Sequence, residues 1–459
     1  MLTYEEARQF VKEATKRGSI LGLDNMRALM KELHNVQNTT PTIHIAGTNG
    51  KGSVGAYLSQ MLQEAGLNVG RYCSPAVFDE LECWQINARN ITKEEYADCM
   101  SQVKNACDIV ASKGYEPTAF EIETAMAFVY FSKVTPDILL LETGLGGETD
   151  ATNVVDNPLA CVFTTISFDH MQFLGSTLTE IASVKAGIMK PGAHIVWATQ
   201  TDEVEAVLMR KFEEVQAIGN QMGLPTTCDK VDNTALHFVS EEAGKLCFSY
   251  QGKNYITHLS GIYQMKNAAL AMCVFDFVCQ KFHIQQTDIE ACKLHGINKA
   301  VWPGRFEVLG THPLFVIDGA HNEDAARLLA QTVENCFTNQ PLTYIIGVLA
   351  DKEHKKMLKL MLPYAQKVYT ITPPNLRGLD GKKLAEEVYE ICSEQEIGTG
   401  DAINTTCRCS EKTIYCENIE DAMEQAITYA KKNSTPILAF GSLSYLGELK
   451  KIYMQKFPK

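Results

Sequence analysis

The chain has 459 residues, of which 45% are hydrophobic and 21% are charged, a composition typical of soluble globular proteins. This length exceeds what one hydrophobic core usually organises, so at least two domains are predicted. The formal net charge is −13, and the excess of acids is spread along the sequence, which disfavours a nucleic-acid partner. No run of the sequence approaches the ~20 apolar residues that a membrane-spanning helix needs, so no membrane partner is expected.

The N-terminal segment and the cysteines bear on the cellular compartment. The first 18 residues include acids and lack a long apolar run, so they match neither a signal peptide nor a transit peptide. The 15 cysteines are scattered, and Cys407 and Cys409 have neither the spacing nor the companion pair of a zinc site. We therefore expect a cytoplasmic protein with reduced thiols.

Short apolar β-branched runs alternate with amphipathic segments from residue 42 onward, which is typical of a parallel sheet with crossover helices. In chain order these segments are TIHIA, VGAYLSQMLQEAG, LNVGRYC, DILLLET, LACVFTTI and HIVWAT. Between residues 236 and 259 the runs LHFVS, LCFSY and YITHL predict a small antiparallel meander, and a helix is predicted from Gln264 to Phe282.

The run HGINKAVWPGRFEVLG then breaks the periodicity, and the alternation of strands and helices restarts at Leu314. The sequence therefore predicts an α/β protein whose first domain contains the small antiparallel β element. We expect this domain at residues 1–297, a linker at 298–304 and a smaller, Rossmann-like α/β domain at 305–459.

A glycine-rich loop joins the first apolar strand to the following helix. Its residues are Gly47, Thr48, Asn49, Gly50, Lys51, Gly52 and Ser53. Glycines let backbone N–H groups turn toward an anion, and the start of the helix adds a favourable potential. Lys51 can neutralise phosphate charge, and the Ser53 hydroxyl can reach a phosphate or its magnesium ion. The loop therefore predicts a nucleotide site, the alternative being a tight glycine turn of purely structural use.

The spacing of this loop departs from the usual G-x-x-x-x-G-K-[ST] pattern. Ile45 stands at the first glycine position, and Gly52 separates Lys51 from Ser53. The form GTNGKGS resembles the loop of the Mur ligase superfamily, enzymes that join an amino acid to a carboxylate through an acyl phosphate.

Further segments narrow the resemblance to the folylpolyglutamate synthase and dihydrofolate synthase family. In family order, between residues 41 and 447, they are FEIETAMAFVYF, LETGLGGETDATN, ISFDHMQFLGSTLTEIASVKAGIMKPG, WPGRFE, IDGAHN and GSLSYLG. The resemblance implies a Mur-ligase-like first domain and ADP-forming addition of L-glutamate to a folate, or to dihydropteroate. It also implies ATP, two magnesium ions, potassium as an optional further ion, and a monomer that binds small molecules.

Glu142 ends the apolar strand DILLLE, where an open α/β sheet presents ligand-binding groups. Its carboxylate suits magnesium, although a capping or surface glutamate has the same appearance. His170, next to Asp169, follows the apolar run FTTIS, and a lone histidine is more often structural. The resemblance makes His170 and Ser74 ligands of a second magnesium ion.

Lys185 lies in the amphipathic stretch TEIASVKAGIMKPG, and the residues alone indicate a surface lysine. The resemblance implies that it is carbamylated, which requires a neutral amine and hence a lowered pKa. The catalytic set expected from the resemblance is Lys51, Glu142, His170 and Lys185. The expected metal set is Ser53, Ser74, Glu142, His170 and carbamylated Lys185.

The second domain is expected to complete the nucleotide site. Arg305 of WPGRFE follows the linker, where closure of the domains could set it against the ATP phosphates as a charge clamp, although an ordinary surface arginine is the alternative. The resemblance places Asp318 and His321 of IDGAHN at the ribose and the phosphates. It places Asn267, with Gln264, on the adenine side.

The sequence departs from the family pattern in two segments. Ala76 follows Ser74-Pro75 where many relatives have histidine, and Cys83 follows Glu82 where they have arginine. Glu148 and Thr149 replace the usual arginine and aliphatic residue. These changes put contacts with folate or glutamate in doubt, and we expect Glu148 to reverse a charge near the anionic substrate.

Two other functions remain open from the sequence. A cell-wall Mur ligase is the nearest rival enzyme, disfavoured because FEIET and LETGLGG match the folate branch. A regulatory nucleotide-binding switch without ligase activity is the other. It is disfavoured because the nearest guanine-reading element, residues 298–301, reads Asn-Lys-Ala-Val and lacks the aspartate.

Overall fold

The computed structural model describes residues 1–18, 20–338, 340–350, 354–398 and 412–457. Cys407 and Cys409 lie outside the described residues, and all cysteines within them are free thiols. The helices are α1 Tyr4–Ala14, α2 Asp24–Glu32, α3 Lys51–Glu64, α4 Lys93–Ala111, α5 Ala119–Val134, α6 Met171–Leu174, α7 Leu178–Ala186, α8 Asp202–Met222, α9 Tyr263–Lys281, α10 Gln286–Lys299, α11 Glu323–Cys336, α12 His354–Met361, α13 Gly381–Gly398, α14 Ile419–Asn433 and α15 Leu443–Lys456.

The strands form three sheets. They are β1 Thr42–Ala46, β2 Val69–Tyr72, β3 Trp84–Ile86, β4 Arg89–Asn90, β5 Ile138–Glu142, β6 Ala160–Phe163, β7 His194–Trp197, β8 Thr227–Lys230, β9 Leu236–Glu242, β10 Lys245–Tyr250, β11 Lys253–Thr257, β12 Glu307–Thr311, β13 Leu314–Ile317, β14 Leu342–Ile346, β15 Ala365–Thr370, β16 Thr413–Tyr415 and β17 Ile437–Phe440.

The largest sheet has the strand order β4-β3-β2-β5-β1-β6-β7-β8. The six neighbouring strands β2, β5, β1, β6, β7 and β8 run parallel. At the edge of the sheet, β3 pairs antiparallel with β2, and β4 pairs antiparallel with β3. Every residue of β1 is buried, as expected for a central parallel strand covered on both faces. Because the carboxyl ends of parallel strands meet at one edge, the segments after β1, β5 and β6 converge there.

The remaining two sheets also follow the sequence prediction. The strands β9, β10 and β11 form the antiparallel meander, and its residues Leu246, Phe248 and Tyr255 are buried in one core with helix α9. The third sheet has the order β12-β13-β17-β14-β15-β16, parallel except for the edge pair of β12 and β13. The predicted α/β class, with a small antiparallel element and a smaller second α/β unit, is confirmed, while the domain limits stay a prediction.

Residues 295–299, which the sequence analysis took as the start of an irregular segment, are helical. Helix α10 continues to Lys299. A Cβ at Gly296 would lie 2.5 Å from Met61 Cγ, so this glycine allows α10 to pack closely on α3. Lys299 Nζ lies 2.9 Å from Glu64 Oε1. Asn298 and Lys299 therefore belong to a helix end and its ion pair.

None of the helices within the described ranges is both long enough and apolar enough to cross a bilayer.

Candidate functional site

The glycine-rich loop leaves β1 and enters α3 in two sharp turns. Gly47 has φ +149° and Gly50, which caps the helix, has φ +93°, so both adopt conformations that favour glycine. A Cβ at Gly47 would collide with Thr164 Oγ1, and one at Gly50 would lie 2.6 Å from Asn267 Oδ1. The first turn of α3 therefore presents its free backbone N–H groups at the edge of the sheet.

Hydrogen bonds fasten the loop to the segment that follows β6. The backbone N–H of Thr48 donates to Thr165 O at 2.8 Å. The Thr48 hydroxyl donates to Ser167 O at 2.9 Å and accepts from Ser167 N at 3.0 Å. These bonds hold the loop in shape without any ligand.

Two lysines converge on one carbonyl oxygen. Lys51 Nζ lies 3.2 Å and Lys185 Nζ lies 3.0 Å from Gly47 O. Lys185 is buried, not a surface lysine, and burial, helped by the charge of Lys51, lowers its pKa to about 7. A substantial part of Lys185 is therefore a neutral amine at neutral pH.

Glu142 ends β5 directly beside β1, opposite Ile45. Its Oε1 lies 3.8 Å from Lys51 Nζ, longer than a hydrogen bond. Burial raises the pKa of Glu142, and the charges of Lys51, Arg71 and Arg305 oppose that rise. The carboxylate thus lies among cations that favour its ionised form.

The start of α9 contacts the loop from the side. Gln264 Nε2 donates to Ser53 Oγ at 3.2 Å, and Asn267 Nδ2 donates to Gln264 Oε1 at 2.9 Å. Ser53 itself is buried. The two amides that the sequence assigned to a nucleotide site therefore lie next to the loop.

Asp318 and His321 follow β13 in the third sheet. The two oxygens of Asp318 accept the backbone N–H groups of Phe306 and Ala320, each at 2.8 Å. Burial raises the pKa of Asp318, and the charge of Arg305 opposes the rise. Asp318 thereby fixes the turn that carries Arg305, while its predicted role at a ribose stays a prediction. His321 bonds to a neighbouring carbonyl through Nδ1.

One cavity of about 220 Å³ lies between the two α/β units and brings together the site residues named from the sequence, except Gln264. Of those residues its lining contains Gly47, Thr48, Asn49, Gly50, Lys51, Gly52, Ser53, Ser74, Glu142, His170, Lys185, Asn267, Arg305, Asp318 and His321. The remaining lining includes Thr165, Tyr263 and Trp302. Their proximity is a structural fact, and their individual roles stay predictions.

Sequence reasoning missed Asp324, which joins the two units at this cavity. Its Oδ2 accepts Asn49 Nδ2 at 2.9 Å and Ser167 Oγ at 3.1 Å. Asp324 lies in the first turn of α11, where an acid ordinarily complements the helix dipole. No motif in the sequence distinguishes it from such an acid.

A second cavity, of about 460 Å³, adjoins the first and shares Ser74, Pro75, Gly144 and His170 with it. Three of the four departures from the family pattern, Ala76, Cys83 and Thr149, line this cavity. Its walls also include the aromatic residues Tyr72, Trp84 and Phe120.

Acids predominate among the charged residues of the second cavity. They are Glu80, Glu121, Glu123 and Asp150, with Arg8 as the cation among the described lining residues. Arg8 Nε lies 3.1 Å from Glu80 Oε2, and Arg8 Nη1 lies 3.3 Å from Glu123 Oε1. Burial raises the pKa of Glu123, an effect that Arg8 opposes. The first cavity therefore sets the cations Lys51, Lys185 and Arg305 against equal numbers of acids, whereas acids outnumber cations in the described lining of the second.

Glu148 is predicted from the sequence to reverse a charge near the anionic substrate, and that placement stays a prediction. It is exposed, its backbone N–H donates to Val184 O at 2.8 Å, and it is not among the described residues that line either cavity. Its neighbour Thr149 lines the second cavity. The charge reversal therefore falls outside both cavities.

A phosphate loop on one α/β unit, facing an arginine carried by a second α/β unit, defines an ATP-dependent ligase of the Mur type. The Mur ligase middle domain matches residues 45–275, and the Mur ligase glutamate ligase domain matches residues 304–443.

Similar proteins narrow the assignment to one family within the Mur ligases. The dihydrofolate synthase/folylpolyglutamate synthase of Bacillus subtilis is 36% identical over 80% of this chain and 84% of its own length. The dihydrofolate synthetase of Saccharomyces cerevisiae is 30% identical over 94% of this chain and 98% of its own length. The Mycobacterium tuberculosis folylpolyglutamate synthase complexed with ADP and AMPPCP superposes with a TM-score of 0.82 at 26% identity, covering 98% of this chain and 99% of that one.

The chain belongs to the dihydrofolate synthase/folylpolyglutamate synthase family of Mur ligases, whose members are ADP-forming glutamate ligases. The resemblance stated from the sequence is confirmed.

The close approach at Gly47 yields a test of the loop. Replacement by alanine sets a Cβ against Thr164 and strains the backbone, so we expect Gly47→Ala to lose nucleotide binding and about 1–3 kcal/mol of stability. Gly114 is a matched control, with φ +88° and no atom within 4 Å of a Cβ. Gly114→Ala should cost about 1 kcal/mol and keep nucleotide binding, as calorimetry and urea unfolding can establish. Equal effects of the two variants would contradict the close-contact account.

Asp324 yields a second test. Asp324→Ala removes the acceptor for Asn49 and Ser167, so closure of the two units loosens and we expect kcat to fall about 10-fold. The neighbouring Glu323, which pairs with Arg327 on the surface, provides the control Glu323→Ala with near-normal kinetics. Steady-state assays compare them, and equal loss in both variants would show that Asp324 has no special part.

Proposed function

We propose that this chain uses ATP to join L-glutamate to the carboxylate of a reduced folate or of dihydropteroate, through an acyl phosphate, with release of ADP and phosphate. The observation that carries the proposal is the pairing of the two cavities. A cavity on the phosphate loop that holds Lys51, Lys185 and Arg305 opens into a larger aromatic cavity in which acids outnumber cations.

The difference in charge between the two cavities orients the acceptor. A pterin ring is flat and carries several N–H groups, which suits aromatic walls and carboxylate acceptors. The anionic end of the same molecule is repelled by Glu80, Glu123 and Asp150 and attracted by Lys51 and Arg305. The acceptor carboxylate therefore points through the shared opening into the first cavity.

The side chains of the first cavity then support two transfers. Lys51 and Arg305 neutralise the γ-phosphate, so that an acceptor oxygen attacks phosphorus while the bond to the ADP oxygen breaks. The amine of glutamate, having lost its proton, attacks the carbonyl carbon and phosphate leaves. Because water would hydrolyse the acyl phosphate, the two units must exclude it, and Asp324 with Asn49 helps to hold them closed.

The donors present fit magnesium. Ser53 and Glu142 offer the oxygen ligands that this hard cation prefers, and Glu142 has no hydrogen-bond donor closer than Lys51 at 3.8 Å among the contacts described. No group of three or more histidine, cysteine or acidic residues forms a closed metal site in the described ranges, so ATP phosphates would complete the coordination. Bound there, magnesium supplies charge neutralisation.

We further propose, from the family resemblance, a second magnesium ion held by Ser74, His170 and carbamylated Lys185. Three observations support the carbamate: Lys185 is buried, lies beside the loop carbonyl, and has its pKa lowered to about 7. A neutral amine adds to carbon dioxide and releases one proton.

Replacement of Lys51 tests the ligase assignment. Lys51→Ala removes the cation of the phosphate loop itself, which lies beside the Gly47 carbonyl and Glu142, so we expect ATP-dependent amide formation to fall at least 100-fold. Lys432→Ala, at an exposed lysine of α14, should keep normal turnover. ADP release coupled to product detection by mass spectrometry measures both, and near-normal turnover of Lys51→Ala would refute the proposal.

Labelled carbon dioxide tests the carbamate. We expect ¹³C NMR of the full chain in ¹³C-bicarbonate to show one carbamate signal that disappears in Lys185→Arg, because arginine cannot form it. The exposed Lys266 provides Lys266→Arg as the control that keeps the signal. A spectrum without the signal in the unaltered chain would exclude the modification.

A further inference from the structure

Arg71 is a buried cation that the proposed mechanism does not use. It lies on β2, is 6% exposed, and is not among the described residues that line either cavity. We propose that Arg71 is a positioning residue, which locks Trp302 of the linker onto the phosphate-loop helix and so sets the place of Arg305. The inference rests on the proposed function, because Arg305 matters only if phosphate is transferred.

Arg71 contacts both sides of this junction. Its Nη2 donates to Gly52 O at 2.7 Å, in the first turn of α3. Its guanidinium carbon lies 4.0 Å from the centroid of the Trp302 ring, the distance of a stacked cation–π pair. One side chain therefore joins the phosphate-loop helix to the linker.

Gly52 allows the linker to approach that closely. A Cβ at Gly52 would lie 2.5 Å from three indole atoms of Trp302, so the indole rests directly on the first turn of α3. The glycine that separates Lys51 from Ser53, the irregular feature of the loop, is thus the surface against which Trp302 packs. Any larger residue there would push the linker away.

The position of Trp302 determines the position of Arg305. Only two residues separate them, and Gly304 between them donates its N–H to Glu307 Oε2 at 3.0 Å. Arg305 then lies against Gly319, where a Cβ would collide with its Nη1. With both ends of this short segment fixed, the distance of the arginine from the phosphate loop depends on how Trp302 is held.

Arginine suits this place better than an apolar residue. A buried cation costs free energy unless it is paired, and here the Gly52 carbonyl, the indole face and the nearby charge of Glu142 offset that cost. The planar guanidinium also orients the indole it stacks on, which an aliphatic chain of the same length does not do. The interaction therefore fixes the orientation of the Trp302 indole as well as its contact with Arg71.

The test compares variants of the full chain at this residue. Arg71→Met keeps the bulk but loses the hydrogen bond and the stacking, and we expect kcat to fall about 10-fold, with ADP affinity measured by calorimetry kept within about twofold. Arg71→Lys keeps the charge and should give an intermediate kcat. The control is Lys431→Met, which removes a distant cation 5.9 Å from the Phe457 ring and should leave kcat unchanged.

Tryptophan fluorescence provides a second measurement, which a purely structural role of Arg71 would leave unchanged. Trp84 and Trp197 are each 1% exposed, so a change in emission on adding ADP reports mainly on Trp302, and Arg71→Met should alter it. Unchanged kcat and fluorescence in Arg71→Met would overturn the inference. So would parallel losses of kcat, ADP affinity and melting temperature.

If Arg71→Met does not fold, Arg71→Lys and Trp302→Phe decide the question by the same split between kcat and ADP affinity. Failure of the unaltered chain to make amide product would instead refute the proposed function. The two failures are therefore distinguishable.

Discussion

The structure depends on a concentration of basic side chains around one turn of backbone. Lys51 and Lys185 both approach Gly47 O, and Arg71 and Arg305 act on the same buried carboxylate, Glu142. Such an arrangement is stable only when anions are available to balance it. The free N–H groups of α3 add to the same field. A polyphosphate is the ligand that this charge distribution selects, and the rest of the site is arranged to bring a carboxylate to it.

That constraint explains why the two α/β units must meet at the loop. Asp324 accepts hydrogen bonds from Asn49 and Ser167, while Trp302 rests on Gly52, so two of the contacts that join the first unit to the linker and the second unit lie at the phosphate loop. The acid-lined cavity lies on the other side of the shared opening. Under the proposed function, an acceptor would therefore extend from a cavity in which acids outnumber cations to the basic side chains at the phosphate loop.

The sequence predicted the fold class and the cavity because strand ends and motifs are local. TIHIA followed by GTNGKGS determines a strand, a turn and a helix start wherever the rest of the chain lies. It could not predict Arg71 or Asp324, since each acts on residues far away along the chain and resembles an ordinary strand or helix residue. The sequence pattern places the break in periodicity at residue 295, although α10 continues to Lys299, for the same reason: the contact of Gly296 with Met61 is tertiary.

Isotope transfer tests the central claim, that the acceptor carboxylate attacks phosphorus at the phosphate loop before the amide forms. The chain would be supplied with ATP, magnesium, glutamate and an acceptor, dihydropteroate or tetrahydrofolate, whose reacting carboxylate carries ¹⁸O at both oxygens. The released phosphate would be analysed by mass spectrometry. The account predicts one ¹⁸O atom in each phosphate released with amide product. Amide product accompanied by phosphate without ¹⁸O would contradict it.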